Sequence, residues 1–212
     1  MLKTIFFDFD GVILESAGIK TEAFRKLFSN YPKHVDEIVK YHEDNAGVSR
    51  YDKFDYIYGD ILKEKLTEAK KSELGKQFSE LVLKEIERCP FVIGTIEFLE
   101  AYSKKLNLFV ASATPDEELK YLIKKRGLSG YFSGVYGAPA KKSEIILTVI
   151  SNKRLNKEES IFIGDTMADY EHSVKAGVSF IGRVPDGENP FPPDIKTVRD
   201  LNEFSGVVEE LL

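Results

Sequence analysis

A chain of 212 residues, 42% hydrophobic and 31% charged, carries enough apolar side chain for a buried core and too much for a disordered tail. The 30 lysines and arginines against 35 aspartates and glutamates leave a net charge of −5, with no run of like charge long enough to grip nucleic acid, so duplex DNA or RNA is not an expected partner. The single cysteine, Cys89, permits no internal disulfide and the three histidines offer no zinc-site spacing. No apolar run approaches the ~18 residues of a membrane span, and the start MLKTIFFDFDG reaches acids too early for a secretory signal. The expectation is a reducing, cytoplasmic setting with no membrane partner.

In chain order, KTIFFD (3–8) is a short apolar run ending in acids and a glycine, the form of a buried, central strand. Residues 16–90 then show helical periodicity and no convincing strand: Ala23, Phe24, Leu27 and Phe28 form one apolar stripe, and Phe78, Leu81, Val82 and Ile86 another. A crossover between neighbouring parallel strands needs only about a dozen residues. The stretch 16–90 is therefore an insertion with its own core, a helical cap, and 1–15 with 91–212 form the sheet domain. Cys89 reads as a small buried residue where the insertion ends. His34, His42 and His172 have no partners at any telling spacing and are expected at the surface.

A second strand, LFVAS (108–112), runs almost directly into a helix. Thr114 is a candidate N-cap, Pro115 suits the first helical position, and Glu117 would complete a capping box; Lys124, Lys125 and Arg126 fill the last turn and Gly127 closes it. Such a helix N-terminus presents free N–H groups to an oxyanion. A third strand, SIFIGD (160–165), again precedes a helical pattern, and a late loop collects Pro185, Pro190, Pro192 and Pro193. Strand followed by helix, repeated, predicts an α/β architecture with a parallel sheet.

Three strand ends thus supply Asp8 and Asp10, Ser112 and Thr114, and Asp165 and Asp169. Ligands of open parallel sheets bind at the carboxyl ends of the strands, so these groups are expected to converge. Asp8 and Asp10, two apart, face one side of a continuing strand, and Gly11 lets the chain turn just beyond. Four clustered carboxylates repel one another unless a cation sits among them, and oxygen ligands suit Mg²⁺.

DFDGVILES (8–16), ASAT (111–114), GAPAKKSEI (137–145) and GDTMAD (164–169) occur in that order. Together they resemble the four motifs of the haloacid dehalogenase-like phosphohydrolases, and the insertion at 16–90 resembles the cap of their phosphoglycolate phosphatase and β-phosphoglucomutase branch. The resemblance implies a Rossmann-like parallel-sheet core with an inserted α-helical cap. It also implies Mg²⁺-dependent hydrolysis of a small phosphorylated metabolite through an aspartyl-phosphate. Asp8 would be the nucleophile and Asp10 the general acid and base; members that attack carbon–halogen bonds lack an acid at the latter position. Ser112 and Lys142 would bind the phosphoryl oxygens. Lys141 is the alternative motif lysine, with the family spacing from Pro139 favouring Lys142. Asp8, Asp10, Asp165 and Asp169 would hold the metal. A carboxylate about 4 Å from a phosphate dianion meets roughly 8 kcal/mol of repulsion at an effective dielectric of 20, which this metal and lysine would offset.

Within the insertion, GVSRYDKF (47–54) resembles the β-phosphoglucomutase segment whose arginine contacts a second phosphate. Arg50 and Lys53 accordingly join Gly11, Ser112 and Lys142 as substrate-binding candidates, against the plainer reading of charges on a solvated face, and Tyr51 is the aromatic nearest to such a role. Where the mutases carry a histidine after the first motif, this chain has Lys20, a change that suits a phosphatase better. Two rivals stay open: a sugar phosphomutase, and a signalling module that accepts phosphate on an aspartate, which would carry no such insertion and would keep its acceptor on a later strand.

Overall fold

Thr4–Phe7 (β1) is buried at every position because it lies between two parallel neighbours. In the computed structural model of the chain, which describes all residues except Ala46, β1 pairs with Asn107–Pro115 (β2) on one side, Phe7 opposite Val110. On the other side it pairs with Ser160–Gly164 (β4), Phe7 opposite Ile163. Gly134–Ala138 (β3), Ser179–Arg183 (β5) and Thr197–Val198 (β6) complete a six-stranded parallel sheet of order β3-β2-β1-β4-β5-β6. The parallel α/β sheet is the one the strand–helix alternation predicts. Its strand order reverses beside β1, and in open parallel sheets ligands bind at the carboxyl ends of the strands beside such a reversal.

The chain divides into two compact units, Met1–Glu15 with Pro90–Leu212, and Ser16–Cys89. The second is built, among the described residues, from four helices, Ala17–Leu27 (α1), Val35–Asp44 (α2), Arg50–Tyr56 (α3) and Glu68–Ile86 (α4), with a π-helical turn over Ile57–Ile61. Its interior is aromatic: Phe24 packs 5.0 Å from Phe78, 5.9 Å from Phe54 and 6.1 Å from Phe28, measured between ring centres. Each such burial contributes about 1.5–3 kcal/mol, enough in sum to order a separate core. Cys89, buried, ends this unit.

In the sheet unit, Thr95–Tyr102 (α5), Asp116–Lys125 (α6), Lys142–Lys153 (α7), Met167–Ala176 (α8) and Leu201–Leu211 (α9) cover the strands. Successive strand residues face opposite sides: Phe6 joins Phe109, Phe162, Ile146 and Val149 on one face, while Phe7 meets Phe98 of α5 and Phe204 of α9 on the other. Gly127 follows α6 with φ +73, the left-handed stop its sequence predicts.

The start of α6 differs from the sequence expectation. β2 continues to Pro115, which is itself the N-cap, and no side chain caps the helix. Thr114 is still extended there, and its hydroxyl turns to another partner, described next. Among the described residues no helix is long and apolar enough to cross a membrane.

Candidate active site

Asp8 immediately follows β1 and is buried. Its Oδ1 accepts a 2.7 Å bond from the Phe9 amide and its Oδ2 lies 2.8 Å from Nζ of Lys142, the first residue of α7. That ammonium also donates to Oδ1 of Asp169 at 2.5 Å, so it bridges two carboxylates while itself only 2% exposed. Lys141, one residue earlier, is exposed at the N-cap of α7.

Asp169 is held twice. Its Oδ2 accepts from Thr166 Oγ1 at 2.7 Å and Thr166 N at 3.2 Å, and its own amide donates back to Thr166 Oγ1, the reciprocal box that starts α8. A Cβ on Gly164 would overlap Asp169, so the end of β4 must be glycine for the acid to sit there. The same logic applies on the other side: Gly11 takes φ +75, and a Cβ there would overlap the Asp165 carboxylate. The loop after β1 thereby packs directly on the loop after β4.

At the end of β2, Thr114 Oγ1 donates to Asp10 Oδ2 at 2.9 Å, and Thr114 N donates to Ser112 Oγ at 3.1 Å. A serine oxygen that accepts from backbone keeps its proton for another acceptor. Asp8, Asp10, Gly11, Ser112, Lys142, Asp165 and Asp169 all belong to the sheet unit, and these contacts bring them to the carboxyl ends of β1, β2 and β4.

The electrostatics of this group are unbalanced. Burial pushes the Asp8 carboxyl up to about 7; the Lys142 charge opposes the rise, and the Asp169 and Asp10 charges add to it. Burial, with the Asp8 and Asp169 charges, holds Asp165 well above the usual carboxylate range. For Lys142 burial works against the charged form, but Asp169 and Asp8 outweigh it and raise its pKa. One oxygen from each of Asp8, Asp165 and Asp169 lies within 4.8 Å of the others. Asp165 Oδ1 is buried and, among the described residues, accepts no hydrogen bond. An orphaned buried carboxylate oxygen beside two further acids demands positive charge. A hard divalent cation that prefers oxygen, such as Mg²⁺, fits that donor set.

Arg50 and Lys53 lie in the helical unit and both are buried, which sets aside the reading of charges on a solvated face. Arg50 Nη1 donates to Ser79 Oγ at 2.8 Å and its guanidinium lies 4.5 Å from the centre of the Phe78 ring. Lys53, 1% exposed, donates from Nζ to His42 Nδ1 at 3.0 Å and to the His42 carbonyl at 3.1 Å. Tyr51 packs against Gly75 of α4, where a Cβ would crowd its ring.

His42 is a correction to the sequence reading, which placed it at the surface. It is buried, stacked 4.1 Å from Phe24, and burial together with the Lys53 and Lys20 charges lowers its pKa to about 3. The imidazole is therefore neutral, and Nδ1 must be the acceptor because an ammonium can only donate. Ile38, Val39 and His42 are the buried residues of α2, an i, i+1, i+4 spacing that marks one helix face and could have disclosed the histidine. Thr166, the N-cap of α8, stands in a Thr-x-x-Asp capping signature that is legible in sequence.

A family model described as "haloacid dehalogenase-like hydrolase" matches residues 5–183. The phosphorylated carbohydrates phosphatase of Thermotoga maritima is 28% identical over 189 residues, 85% of this chain and 84% of that protein. Among solved structures, β-phosphoglucomutase from Clostridium difficile superposes with a TM-score of 0.78 at 20% identity, covering 100% of this chain and 97% of that one. A "predicted phosphoglycolate phosphatase" from Haemophilus somnus gives 0.74 at 16% identity, with 98% of each chain covered. At these identities the two structures speak for the fold.

Proposed function

Because the chain belongs to the haloacid dehalogenase-like hydrolases, we propose that it is a Mg²⁺-dependent phosphatase of small phosphorylated carbohydrates, acting through an aspartyl-phosphate on Asp8. The observation that carries this reading is the pairing of a buried Asp8, bonded to Lys142, with the orphaned Asp165 oxygen beside it. The sugar-phosphate class rests on the activity named for the Thermotoga relative.

In this reading a carboxylate oxygen of Asp8 attacks phosphorus. The bond from phosphorus to the sugar oxygen breaks, and Asp10 donates a proton to that leaving oxygen. Asp10 then accepts a proton from the water that attacks the aspartyl-phosphate; inorganic phosphate leaves and Asp8 is regenerated. Thr114 holds Asp10 through its Oδ2. Ser112 donates its hydroxyl proton to a phosphoryl oxygen, and Lys142 neutralises charge on both Asp8 and the transferred group. Mg²⁺, held by Asp8, the Asp10 carbonyl and Asp165 with Asp169 in support, would supply the remaining charge that lets an anion approach a dianion. Gly11 keeps the phosphate side of the pocket free of a side chain, and Arg50 and Lys53 serve a second anionic group of the substrate. The reduced thiol of Cys89 suits a cytoplasmic setting.

A sugar phosphomutase remains the second reading, favoured by the GVSR segment at Gly47–Arg50. The test is a panel of phosphorylated sugars with purified protein, with and without Mg²⁺, scored for phosphate and for isomerised product, with Asp8→Asn as control. Phosphate release that needs Mg²⁺ and Asp8 is expected. Isomer without phosphate would select the mutase. No turnover of any kind, or an active Asp8→Asn, would end the proposal.

A further inference from the structure

Arg183 closes β5, is 4% exposed, and has no part in the chemistry above. Its guanidinium is nevertheless used on all sides. Nη1 donates to the Gly11 carbonyl at 2.7 Å and to Glu15 Oε2 at 3.0 Å, Nη2 donates to Glu15 Oε1 at 2.6 Å, and Nε donates to the Arg199 carbonyl at 3.0 Å. A planar fork that engages a carboxylate with two nitrogens and a carbonyl with one of them fixes direction as well as distance. A buried charge is a poor choice where packing alone is wanted, since an apolar side chain of similar size would fill the space without desolvating a cation.

The two groups it grips are telling. Gly11 directly follows Asp10, has the left-handed backbone, and packs against the Asp165 carboxylate. Glu15 is the last residue before the chain leaves the sheet unit, and its amide donates to the carbonyl of Pro90, where the chain returns. Leu14 pairs with Phe91, and Val92 N donates to the Ile13 carbonyl at 3.1 Å. The segment from Asp10 to Glu15 is thus pinned at one end by the guanidinium on Gly11 and at the other by the same guanidinium on Glu15.

We propose that Arg183 is a positioning residue for the hydrolytic site. By holding the Gly11 carbonyl it fixes the peptide after Asp10 and the Gly11–Asp165 packing. It thereby sets the places of the proton-transfer acid and of the oxygens assigned to the metal, and Glu15 locks the fork in its orientation. The inference rests on the roles proposed above for Asp10 and Asp165.

The full-length chain is compared with Arg183→Met, Arg183→Lys and Glu15→Gln. Each preparation is assayed for kcat and KM on the best sugar phosphate of the panel and for Mg²⁺ Kd by titration calorimetry, with circular dichroism to establish folding. For Arg183→Met we expect kcat to fall on the order of 10- to 100-fold with KM within about twofold, and Mg²⁺ binding to weaken on the order of tenfold. Arg183→Lys, which can reach the carbonyl without the fork, should recover part of both losses. Glu15→Gln, which leaves the Gly11 bond in place, should lose less than Arg183→Met. A folded Arg183→Met with kcat and Mg²⁺ Kd equal to those of the natural chain, even if its melting temperature drops, overturns the proposal. If Arg183→Met does not fold, Arg183→Lys and Glu15→Gln that both match the natural chain overturn it equally. Should the natural chain bind Mg²⁺ yet turn over nothing, the phosphatase reading fails, and the Mg²⁺ Kd ratio still decides the role of Arg183.

Discussion

Thr114 donates its hydroxyl to Asp10 and its amide to Ser112, at 2.9 and 3.1 Å, so one residue at the end of β2 orients both the proposed proton donor and the proposed phosphoryl ligand. The hydroxyl binds Oδ2 of Asp10 and so favours the proton on the other carboxyl oxygen. Thr114→Val keeps the shape and the amide but removes that donor. We expect kcat to fall on the order of tenfold with KM little changed, since geometry at the proton-transfer step loosens while binding does not. Steady-state kinetics on the preferred substrate check this; an unaltered kcat would show that Asp10 needs no such support.

Lys142 is the one cation bonded to Asp8 and Asp169 among the described residues. In Lys142→Met two buried carboxylates lose their partner, a change that costs about 3–5 kcal/mol. The variant should melt well below the natural chain, and added Mg²⁺ should raise its melting temperature by more than it raises that of the natural chain. Turnover should fall at least about 100-fold. Thermal melts with and without Mg²⁺ test the charge argument independently of activity; a melting temperature unchanged by the substitution would contradict it.

The raised carboxyls of Asp8, at about 7, and Asp165 give a signed pH dependence. Without a divalent cation the folded chain holds protons that the unfolded chain releases from about pH 4 upward. Stability from these groups is therefore lost as pH rises from about 4 through about 7. His42 acts in the opposite sense: its pKa is lowered from 6.5 to about 3, so its contribution is lost as pH falls below about 6.5. Urea unfolding between pH 4.5 and 8, in chelator and in Mg²⁺, separates the two. Mg²⁺ should flatten the loss toward high pH and leave the His42 limb in place. Equal profiles in the two media would count against a cation among Asp8, Asp165 and Asp169.

Lys53 Nζ bonds Nδ1 and the carbonyl of His42 inside the helical unit. If it serves a second anionic group, Lys53→Met should raise KM on the order of tenfold for a sugar bisphosphate and leave KM for a monophosphate within about twofold. Equal effects on the two substrates would make Lys53 a structural residue of the helical unit.

Much of this was legible in the chain because hydrophobic runs and their terminating acids carry their own geometry. TIFF, LFVAS and SIFIG lie in β1, β2 and β4, the strands whose ends bear the polar groups. The short strands GVYGA, SFIGR and TV escaped, since glycine breaks their apolar pattern and two residues make no pattern at all. Contacts between distant segments were illegible for a different reason. Nothing local says that the Thr114 hydroxyl prefers Asp10 to a helix end, that Lys53 finds His42, or that Arg183 reaches back to Gly11. Those bonds exist only once the parallel sheet has set its register, and propensity at Thr114 is then outbid by a carboxylate on the neighbouring strand end.

The pairing of Leu14 with Phe91, and of the Glu15 amide with the Pro90 carbonyl, means that the polypeptide departs from the sheet and rejoins it at a single spot. Whatever lies between those points needs only to fold by itself and bring its ends together, which closing a long loop permits at small extra entropic cost. The aspartates can thus stay where they are while the inserted helices drift, exchange or grow, and selection on substrate preference can proceed without disturbing the bond-breaking machinery.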